Sequence, residues 1–213
     1  MKPREQSGMS APAVTPLDAY LLLSAISQFR GWMLRTRVQK TIFCAEEQAL
    51  RESLTPFPTF KFFRWNHGPF SKELAQTEDW LVEHGFVSSS GGPVTTRGTK
   101  LLADLRPSVL EHQEARIALL LIERYGERFS KLTLSEVLRQ VYSMVWKKQT
   151  IAETVEGENL LEPKRSPELL AEYQPLFDLI RWRLRMTPEE EKEFEDPELL
   201  SEPEAEEFWS GLS

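Results

Sequence analysis

The sequence predicts a mainly α-helical protein with a winged-helix-like core, a short β-hairpin wing and an additional helical block. Three observations support this fold class. Apolar residues recur with helical spacing over most of the chain. A Gly68-Pro69 turn comes directly before one of these helical segments. That segment ends at Gly85, where short apolar stretches flank a serine- and glycine-rich turn. A helix followed by a short hairpin is the outline of a winged helix.

Two helices open the predicted core. The first covers Leu17 to Met33 and is apolar on most sides, which indicates a buried helix. The second covers Thr36 to Leu50, and its apolar residues lie on one face, with Cys44 expected in the core. We expect its charged side chains to face water, namely Arg35, Arg37, Lys40, Glu46, Glu47 and Arg51.

The junction that follows is the most informative stretch of the chain. A short strand from Thr59 to Trp65 leads into a turn made of His67, Gly68, Pro69, Phe70 and Ser71. We expect His67 to hydrogen-bond the backbone of this turn. Ser71 supplies a side-chain oxygen that caps the helix from Lys72 to His84, and Gly85 then stops that helix. Phe86-Val87 and the segment from Pro93 to Thr96 form the predicted wing.

Further helices complete the prediction. A short helix from Arg97 to Leu105 ends at Pro107, and a longer helix from Ser108 to Tyr125 ends at Gly126. Thr133 and Glu136 have the spacing of a capping box for the next helix. The polar segment from Thr150 to Ser166 is predicted to be a loop. The last helix covers Pro167 to Met186, and Pro175 either kinks it or splits it in two.

These elements divide the chain into four regions. They are a flexible N-terminus (1–16), the winged-helix-like core (17–107), a helical block packed on the core (108–187) and an acidic tail (188–213). The tail contains eleven acidic residues and one lysine, so the remaining chain carries a net charge of +3 within the total of −7. Phe208 and Trp209 follow a run of carboxylates in the tail. They are anchors if the tail docks on a partner or on the basic end of the last helix; otherwise the tail only solubilises.

The order of several short motifs resembles a known family. Gln39-Lys40 is followed by Ile42-Phe43, and later come Gly68-Pro69-Phe70-Ser71, Gly85-Phe86 and Val94-Thr95. Over about Leu17 to Trp146 this order resembles the YwgA-like proteins and their relatives with the Panacea, or SocA-like, domain. The resemblance implies a binding protein, because Panacea-like domains are similar to antitoxins that neutralise varied toxins and one relative is a proteolytic adaptor. It implies no catalytic residue, and it does not include the acidic tail.

The residue types and their spacing do not indicate a catalytic, cofactor-binding or metal-binding site. The three histidines have no metal-ligand spacing with one another or with Cys44, and no glycine-rich phosphate loop is present. We therefore predict no catalytic, cofactor-binding or metal-binding residue, and no enzymatic activity. One cysteine and no long apolar run lead us to expect a cytoplasmic protein without a membrane span. The six tryptophans are expected in the core or at interfaces.

Charge decides between two kinds of partner. In a winged helix the helix before the wing reads DNA. That helix would expose mostly carboxylates here, which phosphates repel. Arg35, Arg37 and Lys40 offer an alternative basic face for a nucleic-acid backbone or for a partner. We expect a protein partner, either a toxin or a regulatory target, ahead of a DNA-binding regulator. The sequence leaves the oligomeric state open.

Overall fold

The computed structural model describes residues 15–29, 35–54, 60–66, 68–146, 149–161 and 167–185. Within these ranges the protein is mainly helical, with eight helices and a small three-stranded antiparallel sheet, so the predicted fold class is confirmed. The helices are α1 (Pro16–Ser27), α2 (Arg35–Arg51), α3 (Lys72–Glu83), α4 (Thr96–Glu111), α5 (Gln113–Ser130), α6 (Leu134–Tyr142), α7 (Pro167–Glu172) and α8 (Gln174–Arg185). The strands are β1 (Phe62–Trp65), β2 (Gly68–Phe70), β3 (Val145–Trp146), β4 (Gln149–Thr150) and β5 (Asn159–Leu161).

Helix α1 is the centre of the fold. Its residues from Leu17 to Ile26 are all buried, because α2, α3, α4, α5 and α8 pack around it. Thr15 caps the helix through a capping box with Asp18, and Pro16 is its first residue. Residues 15 and 16 thus belong to the helix and its cap, although the sequence places them in the N-terminal region. Residues 1–14 lie outside the described ranges.

Helix α2 is covered on more sides than its sequence suggested. It contacts α1, α5, α6 and β2. As a result Lys40, Glu46 and Glu47 are buried, so the prediction that they face water is wrong. A helical pattern shows which face is apolar, but it does not show how many neighbours cover the polar face.

The sheet brings together segments that are distant in sequence. Its strand order is β2-β1-β5, and β1 pairs antiparallel with β2 from Phe63–Phe70 to Trp65–Gly68. Gly68, Pro69 and Phe70 thus form a strand, so the prediction that they form a turn is wrong. Proline is tolerated there because β2 is an edge strand. Strand β5 and Thr150, the second residue of β4, lie in the segment predicted to be a loop, so that prediction is wrong there. Strand β5 is too short to show a period, and it is held by the burial of Leu160 and Leu161.

The predicted cap and end of α3 are confirmed. The Leu74 backbone N–H donates to Ser71 Oγ (3.2 Å), and Gly85 follows the helix with φ of +74°. The wing is short: Val87 and Val94 form a single antiparallel bridge. A Cβ atom at Gly98 would overlap the carbonyl oxygen of Phe86, so the start of α4 can lie against the wing only because residue 98 is glycine.

Two predicted helix ends are wrong and one predicted break is confirmed. Helix α4 continues through Pro107, and α5 continues through Gly126. At Gly126 a Cβ atom would lie 2.5 Å from Gln28 Cγ, so this glycine permits close approach of the chain at the end of α1. Near the end of the chain, α7 and α8 are separate helices joined at Tyr173, so Pro175 marks the predicted split.

The later helices pack onto the earlier ones. Helix α5 contacts α1 and α2, α6 contacts α2, and α8 contacts α1 and α4. The predicted packing of a helical block on the core is therefore observed. None of the helices in the described part of the chain is long and apolar enough to cross a membrane.

Candidate functional site

A cavity opens between the first half of α2 and the β1-β2 hairpin. It has a volume of about 210 Å³. We call it the Trp65 cleft, and its lining residues are Arg35, Thr36, Gln39, Lys40, Trp65, Gly68 and Phe70. Two of the motifs singled out in the sequence, Gln39-Lys40 and Gly68-Pro69-Phe70-Ser71, thus meet at one site.

Gln39 fixes the chain between β2 and α3. Its side chain is buried, and Nε2 donates to the Ser71 carbonyl oxygen (3.0 Å). The Ser71 backbone N–H donates in return to Gln39 Oε1 (2.8 Å). Because Ser71 also caps α3, one glutamine connects α2 to the start of α3 and holds the hairpin in position.

Lys40 is the buried cation of the cleft. It is 2% exposed, and its Nζ donates to the Pro69 carbonyl oxygen (2.6 Å). Burial lowers the pKa of Lys40 to about 7; nearby Cys44 raises it and the Arg64 guanidinium lowers it further. No carboxylate forms an ion pair with Lys40 among the residues that the structure describes. The expectation that Lys40 belongs to a solvent-facing basic surface is therefore wrong.

The two arginines of the predicted basic face are also engaged. Arg35 Nε donates to Glu78 Oε2 (2.8 Å), and Arg35 Nη2 donates to Asp79. Arg37 Nη1 donates to the Phe129 carbonyl oxygen (3.2 Å). These side chains connect α2 to α3 and α5. Each is therefore already hydrogen-bonded within the protein before any partner binds.

Trp65 stands at the rim of the cleft and is 46% exposed. Its ring lies edge-on to Phe63 at 5.8 Å between centroids, and Phe63 lies edge-on to Phe70 at 5.6 Å. The sequence analysis gave Trp65 no role of its own. The sequence feature that could have identified Trp65 is its position at the end of a predicted strand, directly before the Gly68-Pro69 motif.

The segment beside Trp65 is tied to β1 through the backbone. The Arg64 N–H donates to the Glu158 carbonyl oxygen (2.8 Å), and the Gly157 N–H donates to the Arg64 carbonyl oxygen (2.7 Å). The Tyr142 hydroxyl donates to the Asn66 carbonyl oxygen (2.9 Å). The end of β1 that carries Trp65 is therefore held by hydrogen bonds on two sides.

The exposed face of α3 has the acidic balance expected from sequence. Its exposed charged side chains are Lys72, Asp79 and Glu83, while Glu78 is fully buried. The carboxylate of Glu73 accepts the Lys61 backbone N–H (3.0 Å). This surface offers one ammonium against two exposed carboxylates, of which Asp79 is bonded to Arg35.

Residues that often carry chemistry have other partners here. His84 and His112 each place Nδ1 2.9 Å from a backbone oxygen four residues earlier. Cys44 is buried, and burial raises the pKa of its thiol. In the described part of the chain no three His, Cys, Asp or Glu side chains are grouped so that they could hold a metal ion. His67 of the motif turn, and the tail anchors Phe208 and Trp209, lie outside the described residues.

Comparisons with protein-family models, with curated proteins and with solved structures returned no match. The class of protein that the fold and cleft define is a small, mainly helical protein with a wing-like sheet. The resemblance to the YwgA-like and Panacea proteins stays a prediction from the sequence.

Lys40 is expected to make stability depend on pH. Its pKa in the folded state is about 7, below the usual 10.5, so between these values the unfolded chain binds a proton that the folded chain does not. The Lys40 contribution to the free energy of unfolding should therefore rise with pH over this range, by up to about 5 kcal/mol. The raised pKa of the Cys44 thiol acts with the opposite sign above about pH 9, and it does so equally in wild type and in a Lys40 variant. Urea denaturation at pH 7, 8.5 and 10 measures this rise. A Lys40→Met variant should show a much flatter dependence, and equal slopes for both proteins would contradict the assignment.

Proposed function

We propose that this protein is a non-enzymatic binding protein that recognises a protein partner through the Trp65 cleft, as an antitoxin-like or adaptor module does. One observation carries the proposal: a half-exposed tryptophan stands at the mouth of a cavity whose floor is fixed by the buried bonds of Gln39 and Lys40. Tryptophan is enriched among the residues that dominate binding energy at protein interfaces.

The size of the cleft favours the side chain of a partner. A cavity of about 150 Å³ is enough to hold benzene, so about 210 Å³ accommodates one large side chain. Small-molecule sites are commonly about 300–1,000 Å³. The cleft is thus better matched to one anchoring residue of a protein than to a large cofactor.

The fixed geometry of the cleft supports the same function. Gln39 and Lys40 hold the backbone from Pro69 to Ser71 before any partner arrives. A preorganised site loses less conformational entropy on binding than a flexible one. The motif Gly68-Pro69-Phe70-Ser71, which carries much of the family resemblance, forms one wall of this site, and the resemblance implies a role in binding proteins.

Binding to duplex DNA is the weaker alternative. The helix that would enter the major groove exposes more carboxylates than ammonium groups, and phosphates repel such a face. Arg35 lies at the N-terminal end of α2, but its guanidinium is already bonded to Glu78 and Asp79. For a DNA-binding regulator we would expect a basic reading face.

Substitution of Trp65 tests the proposal. The matched control is Leu120→Ala, which removes a side chain of similar exposure (48%) from α5. Affinity capture with wild type, Trp65→Ala and Leu120→Ala should identify a protein that wild type and the control retain and Trp65→Ala loses. With purified components, Trp65→Ala should weaken the complex about 30- to 1,000-fold, as for an interface hot spot of about 2–4 kcal/mol.

Two results would contradict the proposal. One is a reconstituted complex whose affinity is the same for Trp65→Ala as for wild type. The other is specific binding to duplex DNA that depends on Lys72 and Gln76 of α3 and not on Trp65.

A further inference from the structure

We infer that Lys40 is a nucleophile and that its amine binds a small apolar aldehyde as an imine, covered in the Trp65 cleft by the rings of Trp65 and Phe70. The ligand class is an aldehyde of about the size of benzaldehyde. This inference goes beyond the proposed function and does not depend on it. A bound aldehyde would fill the volume that a partner's side chain needs, so the two ligands would exclude each other.

The amine of Lys40 lies where a ligand in the cavity can meet it. Lys40 and Gly68 both line the cleft, and a Cβ atom at residue 68 would lie 3.7 Å from Lys40 Nζ. Because residue 68 is glycine, no side chain fills the space beside this nitrogen. The Pro69 carbonyl oxygen accepts from Nζ (2.6 Å) and holds it in place. A neutral amine has two N–H groups and a lone pair, so this bond leaves the lone pair available for reaction.

The surroundings of Lys40 keep much of the amine uncharged near neutral pH. Burial lowers the pKa of Lys40 to about 7; Cys44 on α2 acts against this and the Arg64 guanidinium on β1 adds to it. From β2 and α6, the Pro69 carbonyl and the Tyr142 ring lie nearby, and neither is charged. At pH 7.5 about three-quarters of Lys40 is then free amine, against about 0.1% for an exposed lysine of pKa 10.5.

Desolvation together with a neighbouring cation is the way in which imine-forming lysines are activated in proteins. Lys40 has both features, since it is 2% exposed and the charge of Arg64 acts on it. Lysine is also the side chain whose pKa changes most readily on burial. The same burial that removes the need for a counter-ion therefore makes the nitrogen reactive toward a carbonyl carbon.

The rest of the lining selects an apolar ligand. Trp65 and Phe70 line the cavity with aromatic rings. A phosphate-bearing aldehyde needs charge-assisted donors, but the other cation of the lining, Arg35, is already bonded to Glu78 and Asp79. The volume of about 210 Å³ exceeds the cavity of about 150 Å³ that holds benzene. An aldehyde with one aromatic ring and no charged group therefore fits.

Imine formation balances without any further reagent. The lone pair of Lys40 Nζ forms a bond to the carbonyl carbon, the π electrons of the C=O bond move to the oxygen, and a proton passes from nitrogen to that oxygen. The resulting carbinolamine loses its hydroxyl group and the remaining N–H proton as water, and a C=N bond forms. One amine and one aldehyde thus give one imine and one water. A protonated imine keeps one N–H, which the Pro69 carbonyl oxygen can accept.

Reductive trapping on the full chain tests the inference. The protein is treated with benzaldehyde at pH 7.5 and then with sodium borohydride, which reduces an imine to a stable benzylamine. Peptide mapping by mass spectrometry gives the benzylated fraction of each lysine. We expect Lys40 to be labelled at least tenfold more than the exposed Lys72 and Lys131. Equal labelling of the three, or none on Lys40, would overturn the inference, and the measurement needs no variant that has to fold.

The pH profile shows whether Lys40 supplies a free amine. Acetylation by a trace of acetic anhydride reports the uncharged fraction of each lysine. For Lys40 the rate should reach half of its maximum at about pH 7, whereas the rates of Lys72 and Lys131 should still rise above pH 9. A Lys40 profile that follows the two exposed lysines would contradict a nucleophilic role at neutral pH.

A change of ligand and a change of the cleft test its selectivity. With pyridoxal 5′-phosphate the preference for Lys40 should be lost, and a preserved preference would show that the ligand is not apolar. Trp65→Ala should lower benzylation of Lys40 at least fivefold, while Leu120→Ala, which removes a side chain of similar exposure from α5, should leave it unchanged. Equal labelling in both variants would refute the covering role of Trp65.

Failure of this inference is distinct from failure of the proposed function. If Lys40 is not labelled but Trp65→Ala still loses the protein partner, the aldehyde site is refuted and the binding function stands. If Lys40 is labelled and Trp65→Ala retains the partner, the reverse holds.

Discussion

Replacing Glu78 with alanine is expected to lower the free energy of unfolding by about 2–4 kcal/mol, because the Gly91 N–H and the Arg35 guanidinium both lose a buried acceptor. Glu78 is fully buried on α3, and its two carboxylate oxygens accept from different parts of the chain. Oε2 accepts from Arg35 Nε of α2 (2.8 Å), and Oε1 accepts from the Gly91 backbone N–H in the wing (2.8 Å). The substitution leaves the Gly91 N–H without this acceptor and weakens the connection between α2, α3 and the wing.

The matched control for Glu78 is Glu127→Ala. Glu127 also forms an ion pair, with Lys131, but both side chains are exposed on α5. Exposed pairs of this kind contribute little to stability, so we expect no measurable change in urea denaturation. If both substitutions changed the free energy of unfolding equally, the bonds of Glu78 would contribute no more to stability than an exposed ion pair.

Replacing Gln39 with alanine is expected to destabilise the fold by about 2–4 kcal/mol, since each buried polar group left without a partner costs about 1–3 kcal/mol. The Ser71 N–H and the Ser71 carbonyl would both lose their bonds to Gln39. Amide hydrogen exchange should also increase in residues 68–71, because the strand is no longer tied to α2. Urea denaturation measures the first effect, and exchange followed by mass spectrometry measures the second.

The control for Gln39 lies on the same helix. Gln48 donates to Glu52 at the exposed end of α2 (3.0 Å), and Gln48→Ala should change stability by no more than about 0.5 kcal/mol. If Gln39→Ala were as mild as this control, the bonds to Ser71 would not hold the wall of the Trp65 cleft.

The features predicted correctly from the sequence are those set by neighbouring residues. Ser71 caps α3 and Thr133 caps α6, because a hydroxyl side chain reaches backbone N–H groups within one turn. Gly85 follows α3 in the left-handed conformation that a residue without Cβ adopts readily. Pro175 coincides with a helix break for a similarly local reason.

The features that the sequence did not reveal depend on distant partners. Gly126 does not end α5 but lets it approach Gln28, nearly one hundred positions away. Strand β5 forms because it pairs with β1, which is a contact between distant parts of the chain. The burial of Lys40 depends on several elements closing over α2. Local patterns carry little information about such contacts.

The candidate site was predictable only in part. The motifs around Gln39-Lys40 and Gly68-Pro69 were recognised as informative, and the structure places both in the Trp65 cleft. Their interpretation differed, because Lys40 was expected on an open basic face and Trp65 had no specific role. Whether a side chain lines a cavity depends on the pairing of β1 with β2 and on their packing against α2.

Hydrogen exchange on the complex with the captured partner tests the central claim most directly. If the protein binds its partner through the Trp65 cleft, peptides covering residues 35–40 and 62–71 should exchange more slowly in the complex. Peptides from the exposed face of α3 between residues 76 and 83 should change little. Protection confined to α3, or protection equal in wild type and Trp65→Ala, would contradict the account.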